Sequence, residues 1–186
     1  DITIGPLSLL WRSARKSKIF PTAGAIDSAK AFVDFHYIIL DSITQTITFL
    51  KPNIKLDMGG IAKGYAVDKA IEILQAHEIN SGSVNAGGDL RVFGDCTQEI
   101  QIRNPKKPHE LIQIGTLKAG AIATSSLYFA KRDANSKSFM VNPFNQEHIE
   151  FLESYSIVAD ECIYADALTK VVSISRNTRH SCLSYF

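Results

Sequence analysis

Cysteine is scarce in this sequence, and the three that occur, Cys96, Cys162 and Cys182, have no CxxC or His-paired spacing. That argues against a zinc module, and the odd count against a complete disulfide framework, although one pair could form. We read all three as structural or incidental rather than catalytic. No apolar run approaches the roughly 18 residues of a membrane span. Net charge is +1, so neither a nucleic-acid footprint nor a polyanionic tail is expected. The local basic clusters, Arg12–Lys18 and Lys106-Lys107, read as solvated faces. Internal repeats, low-complexity tracts and linkers are missing too. No signal peptide is visible, and the first residue is Asp rather than Met, which reads as a processed chain or an expressed fragment.

What remains is an ordinary globular composition, 45% hydrophobic and 21% charged over 186 residues, enough for one sizeable core. Asp1–Pro6 reads as an extended entry. Leu7, Leu10, Trp11 and Ala14 recur at helical spacing, and Pro21-Thr22 can open a second helix running to about Val33. Tyr37–Asp41 and Thr46–Leu50 read as a hairpin. Val67, Ala70, Ile71 and Leu74 make one stripe of a helix from Gly64 to about Glu78. Strands are expected at Ser81–Asn85, Asp89–Phe93, Ile100–Ile102, Ile112–Leu117, Gly120–Ala123, Phe139–Val141 and Ser156–Ala159. A last helix is expected over Cys162–Ser175. Hairpins alternate with helices without a βαβ rhythm, so the expected class is α+β, in a single domain over residues 1–186 with a mostly antiparallel sheet.

Four short segments could carry chemistry. Leu56-Asp57-Met58-Gly59-Gly60-Ile61-Ala62-Lys63-Gly64-Tyr65-Ala66-Val67-Asp68 feeds a helix from a glycine turn. Its glycines let backbone amides approach an anion, the helix start is electropositive, and Lys63 adds a mobile charge. The spacing fits neither GxGxxG nor GxxxxGK[ST], so generic nucleotide-fold motifs are excluded. A plain β-turn with a helix cap is the competing reading. Asn85-Ala86-Gly87-Gly88-Asp89 is a second glycine turn, and equally a hairpin turn. Ala123-Thr124-Ser125-Ser126 is a hydroxyl cluster that could bond a phosphate or cap a helix. In the last helix, Asp166 shares a face with Thr169 and Lys170, which suits a hard cation such as Mg²⁺ or a surface Asp–Lys pair.

In this order, and together with the opening Asp1-Ile2-Thr3-Ile4-Gly5-Pro6-Leu7, these segments resemble the ApbE family of flavin transferases across most of the chain. The resemblance implies an α+β fold related to the T-fold. It implies Mg²⁺-dependent cleavage of FAD, with FMN transferred to a Ser or Thr of a partner flavoprotein and AMP released. By resemblance, Lys63 and Asp166 would be catalytic. Asp1, Asp57, Lys63, Asp89, Thr124, Ser125 and Val141 would contact FAD, and Gly60, Asp166 and Thr169 would hold the metal. A periplasmic or inner-membrane location is suggested by the family, with any membrane anchor expected upstream of Asp1.

The sequence departs from the family pattern in four ways. The usual His-x-x-Asp-Pro segment is here Phe139-Met140-Val141-Asn142-Pro143, without its histidine and aspartate. The metal-ligating threonine four residues after the aspartate is here Lys170, with Thr169 one residue early. Ser126 stands where a glycine follows Ala-Thr-Ser. Much of the early flavin-contacting segment would lie upstream of this chain. An ammonium at position 170 could take the metal's place and neutralise phosphate itself. The alternatives to a transferase are accordingly a non-catalytic FAD- or nucleotide-binding paralogue and a structural or partner-binding domain.

Overall fold

The structure is a computed structural model that describes residues 1–107, 109–127, 140–145, 147–149 and 153–184. The chain divides into two units, Asp1–Met58 with Ala130–Glu150, and Gly59–Phe129 with Phe151–Phe186.

In the first unit, helix α1 spans Gly5–Ser17 and α2 spans Ala23–Lys30. The Asp1–Pro6 segment is not extended as the sequence suggests. Asp1 caps a 3-10 turn over Ile2–Ile4, its carboxylate accepting from the Thr3 amide at 2.9 Å. Pro6 then sits in the first turn of α1, where its missing N–H costs nothing. Thr22 caps α2 in the expected way. Leu7, Trp11 and Ala14 turn inward with Val141 and pack against Ile26 and Ala29 of α2 and against Val33, which lies beyond the helix end at Lys30 rather than within it as the sequence suggests. Arg12, Arg15, Lys16 and Lys18 are exposed. Strands β1 (Ile38–Asp41) and β2 (Thr46–Phe49) form the expected hairpin. Of the Phe139–Val141 strand, Phe139 lies outside the described residues, and Val141 makes a single antiparallel bridge to His148.

The second unit is built on a four-stranded antiparallel sheet with strand order β3-β4-β7-β8: β3 (Gly82–Ala86), β4 (Asp89–Phe93), β7 (Gly120–Ser126) and β8 (Ser154–Ala159). Between β4 and β7 the chain makes a separate hairpin, β5 (Gln98–Arg103) with β6 (Leu111–Leu117), whose register shifts between Ile100 and Gln101. Helices α3 (Ala62–Ala76) and α4 (Cys162–Ser175) pack on one face. Period-two alternation explains the layering. Ala121 and Ala123 of β7 point to the helices and join Val67, Ile71, Cys162 and Ala165. Ile122 points the other way, to Leu90, Val92 and Ile100. Among the described residues no helix is long and apolar enough to cross a membrane.

Candidate active site

The start of α3 has no capping side chain of its own. One of its orphan donors is met from α4 instead: the Gly64 amide donates to Asp166 Oδ2 at 3.2 Å. The start of α4 likewise lacks its own side-chain cap. Asp68 of α3 fills that role, accepting from the amides of Cys162 at 3.0 Å and Ile163 at 2.8 Å, and from Arg91 Nη1 at 2.7 Å. The two helices cap each other reciprocally. They can do so because Gly64 has no side chain: a Cβ there would lie 2.3 Å from the Cys162 carbonyl oxygen.

This arrangement sets a buried carboxylate at the electropositive beginning of a helix. Asp166 is fully buried and Asp89 nearly so. Asp89 arrives from the adjoining strand through a tight two-residue turn. Ala86 pairs with Asp89, Gly87 and Gly88 both have positive φ, and the Gly88 amide donates to Asn85 Oδ1 at 2.9 Å. That is the turn chemistry a hairpin of this length requires. Lys63, half-exposed, joins the two carboxylates: its Nζ donates to Asp89 and approaches Asp166 Oδ2 at 3.5 Å. Lys170 donates to the other Asp166 oxygen, Oδ1, at 2.8 Å, to Thr169 Oγ1 at 2.9 Å and to the Asp166 carbonyl at 3.3 Å. Ser125 Oγ meets Thr169 Oγ1 at 2.8 Å.

The two aspartates respond differently to this field. Burial works against ionising Asp166, but the Lys170 hydrogen bond, the charges of Lys170 and Lys63 and the Gly64 amide outweigh it and hold its carboxyl below the usual range. Burial pushes Asp89 up, and the nearby Asp166 charge adds to it, more than Lys63 pulls it down. Lys63 is partly desolvated, which lowers its pKa, yet the Asp89 hydrogen bond and the two carboxylate charges raise it overall. Cys162 sits beside the cluster, and burial, then the Asp89, Asp68 and Asp166 charges, push its thiol up to about 12. It is no nucleophile at neutral pH, which agrees with its structural reading.

Gly60, Lys63, Asp89, Ser125, Asp166 and Thr169 thus all belong to the second unit, with Lys63, Asp89 and Asp166 in one ionic cluster and Ser125 linked to it through Thr169. Thr124 faces the opposite side of the sheet and bonds Ser156 Oγ across the strand pair at 2.8 Å. The hydroxyl cluster does not cap a helix, because β7 runs on to Ser126. Asp1, Asp57 and Val141 belong to the first unit, where the Asp57 amide donates to the Ile2 carbonyl at 2.8 Å. The capping role of Asp68 escapes sequence reasoning, since the two amides it caps lie 94 and 95 residues away and no local spacing signals them.

The residues present do not fit a magnesium ion at Gly60, Asp166 and Thr169. Mg²⁺ needs oxygen ligands free to take octahedral places. The Asp166 Oδ1 and carbonyl oxygens and the Thr169 hydroxyl are already bonded to the Lys170 ammonium. The Lys170 stem also lies along Gly60, where a Cβ would come within 3.2 Å of its Cγ. Among the described residues no group of three or more His, Cys, Asp or Glu could hold a metal.

The sequence model of the ApbE family matches residues 1–181. The chain belongs to the ApbE family. It is 26% identical over 176 residues to the FAD:protein FMN transferase of Klebsiella pneumoniae (strain 342), an alignment covering 92% of this chain and 55% of that protein. Among solved structures, the flavin transferase ApbE from Vibrio cholerae, in a point-mutant form, superposes with a TM-score of 0.79 at 23% identity, covering 99% of this chain and 61% of that one. An ApbE protein from Thermotoga maritima gives 0.72 at 26% identity, covering 98% and 62%. These likenesses establish the α+β fold. The ApbE chain described here spans about half the length of the curated relatives it matches.

Proposed function

We propose that this chain carries the diphosphate-handling part of an FAD:protein FMN transferase. In that reaction a Ser or Thr hydroxyl oxygen of a partner flavoprotein attacks the phosphorus on the FMN side of the FAD diphosphate. The new P–O bond forms as the bond to the AMP phosphate breaks. The hydroxyl proton is released and AMP departs with the bridging oxygen.

One observation carries this reading: the half-exposed Lys63 ammonium is held by Asp89 and Asp166 at the start of α3. Phosphoryl-type transfer depends on positioning and charge neutralisation more than on covalent help. The half-exposed Lys63 supplies a mobile positive charge that can turn toward the diphosphate. Asp89 and Asp166 keep the ammonium in place, and Ser125 with Thr169 fixes the side of α4 that bears Asp166. The names of the relatives support FAD as the substrate and a protein as the acceptor.

The test is incubation of the full chain with FAD and a flavoprotein acceptor domain, reading the acceptor mass and free AMP. An acceptor heavier by one FMN, with AMP in equal amount, is expected. FAD binding without an adduct would replace the transferase reading with that of a binding paralogue, and no binding at all would remove both. Lys63→Ala should weaken FAD affinity about tenfold, the loss of one charge-assisted contact. Unchanged affinity would show that Lys63 does not face the diphosphate.

A further inference from the structure

We propose that Lys170 is the resident cation of this site, so that an anionic ligand binds here without a divalent metal. The inference rests on the diphosphate reading above for the identity of the ligand, but not for the cation itself. An ammonium has three N–H donors and no acceptor. The three donors of Lys170 meet three oxygens: Asp166 Oδ1 at 2.8 Å, Thr169 Oγ1 at 2.9 Å and the Asp166 carbonyl at 3.3 Å. All three oxygens belong to its own helix, within four residues, so α4 seats the ammonium whether or not a ligand is bound.

The consequence is a division of labour between two lysines. Lys170 spends its donors on the protein, keeps Asp166 ionised and contributes fixed charge. Lys63, half-exposed, is the one that can turn toward a ligand. With Lys63 and Lys170 against Asp89 and Asp166, the four groups sum to zero formal charge. A dication in place of Lys170 would leave the cluster one charge more positive and would attract phosphate more strongly. The ammonium exchanges that attraction for independence from metal supply.

Mn²⁺ uptake by the full chain, followed by electron paramagnetic resonance of the free ion and by broadening of the Gly64 amide signal, tests the cation without any flavin. The unmodified chain should take up no Mn²⁺ near Gly64. Lys170→Thr, checked for folding by circular dichroism, should take up about one equivalent, because removing the ammonium frees the carboxylate and hydroxyl oxygens. Uptake by the unmodified chain with broadening at Gly64 would overturn the proposal. So would a folded Lys170→Thr chain that takes up none. Should the variant not fold, the unmodified chain still decides. Its affinity for FAD should agree within about twofold in EDTA and in excess Mg²⁺, whereas a gain of about tenfold with Mg²⁺ would overturn the proposal. Absence of FAD binding in both media would count against the transferase reading and leave the Mn²⁺ result to judge Lys170.

Discussion

Asp166 ionises more readily than an ordinary aspartate and Asp89 less readily, although both face the Lys63 ammonium. The difference lies in the number of partners. Asp166 has a second ammonium and a helix-start amide, whereas Asp89 has one ammonium and a neighbouring carboxylate charge. A carboxyl whose folded pKa is raised is held as the acid more tightly in the native state than in the unfolded one. Its ionisation therefore costs stability, fully so above the folded pKa and not at all below the unfolded value of 3.8. Asp89→Asn should thus unfold at a higher urea concentration than the natural chain at neutral pH, and the gap should close as pH falls below that value. A neutral-pH loss of stability in Asp89→Asn would contradict the account. Asp166 has the opposite sign: its contribution is present above 3.8 and is lost as pH falls through its lowered folded value. In the sequence Lys63 stands out beside a glycine turn and Asp166 at helix spacing with Thr169 and Lys170, whereas Asp89 is singled out only by the resemblance to the ApbE family. The opposing shifts are not legible there, since they arise from contacts between segments far apart in the chain.

Helices α3 and α4 show how far such distant contacts decide an element's ends. Each begins without its own capping side chain, and each receives an aspartate from the other. The helix at Cys162–Ser175 was readable from periodicity, as was the body of α3. Their mutual capping was hidden, since Asp68 and Asp166 look like ordinary helix residues in a linear reading. The extended entry expected at Asp1–Pro6 failed for a related reason: Asp1 caps the turn that follows and Pro6 suits a first helical turn, so the punctuation signals a start rather than a strand. In the hydroxyl cluster, one residue of offset separates Ser125, which reaches α4, from Thr124, which faces away. Gly64 is the position on which the helix pair depends, because any side chain would strike the Cys162 carbonyl. Backbone cannot yield as a flexible side chain can, so Gly64→Ala should cost about 3 kcal/mol, the upper range for overpacking. Chemical denaturation measures this, and a change under about 0.5 kcal/mol would mean that the helices separate freely.

For the molecule as a whole, burial is distributed unevenly, and stability should follow it. Strand β7 pairs with β4 on one side and β8 on the other, lies under α4, and buries Ala121, Ile122 and Ala123. Its amides can exchange only if the sheet opens on both sides or the helix lifts away. Leu168, Thr169 and Val172 of α4 are similarly buried. The β1–β2 hairpin is the opposite case. From Ile39 through Phe49 its residues are exposed, Leu40 and Ile47 among them, and each strand has the other as its sheet partner. Two-stranded hairpins are at best marginal in water. Hydrogen exchange should therefore be slowest over Ala121–Ser125 and the Leu168–Val172 turn of α4, and orders of magnitude faster over Ile39–Asp41 and Thr46–Phe49. Mass spectrometry of exchanged peptides reads both regions in one experiment. If the hairpin proves as protected as β7, its apolar surface must be covered in solution. Repeating the exchange on diluted protein then distinguishes a second copy of the chain, whose protection falls on dilution, from a cover within the same molecule, whose protection does not.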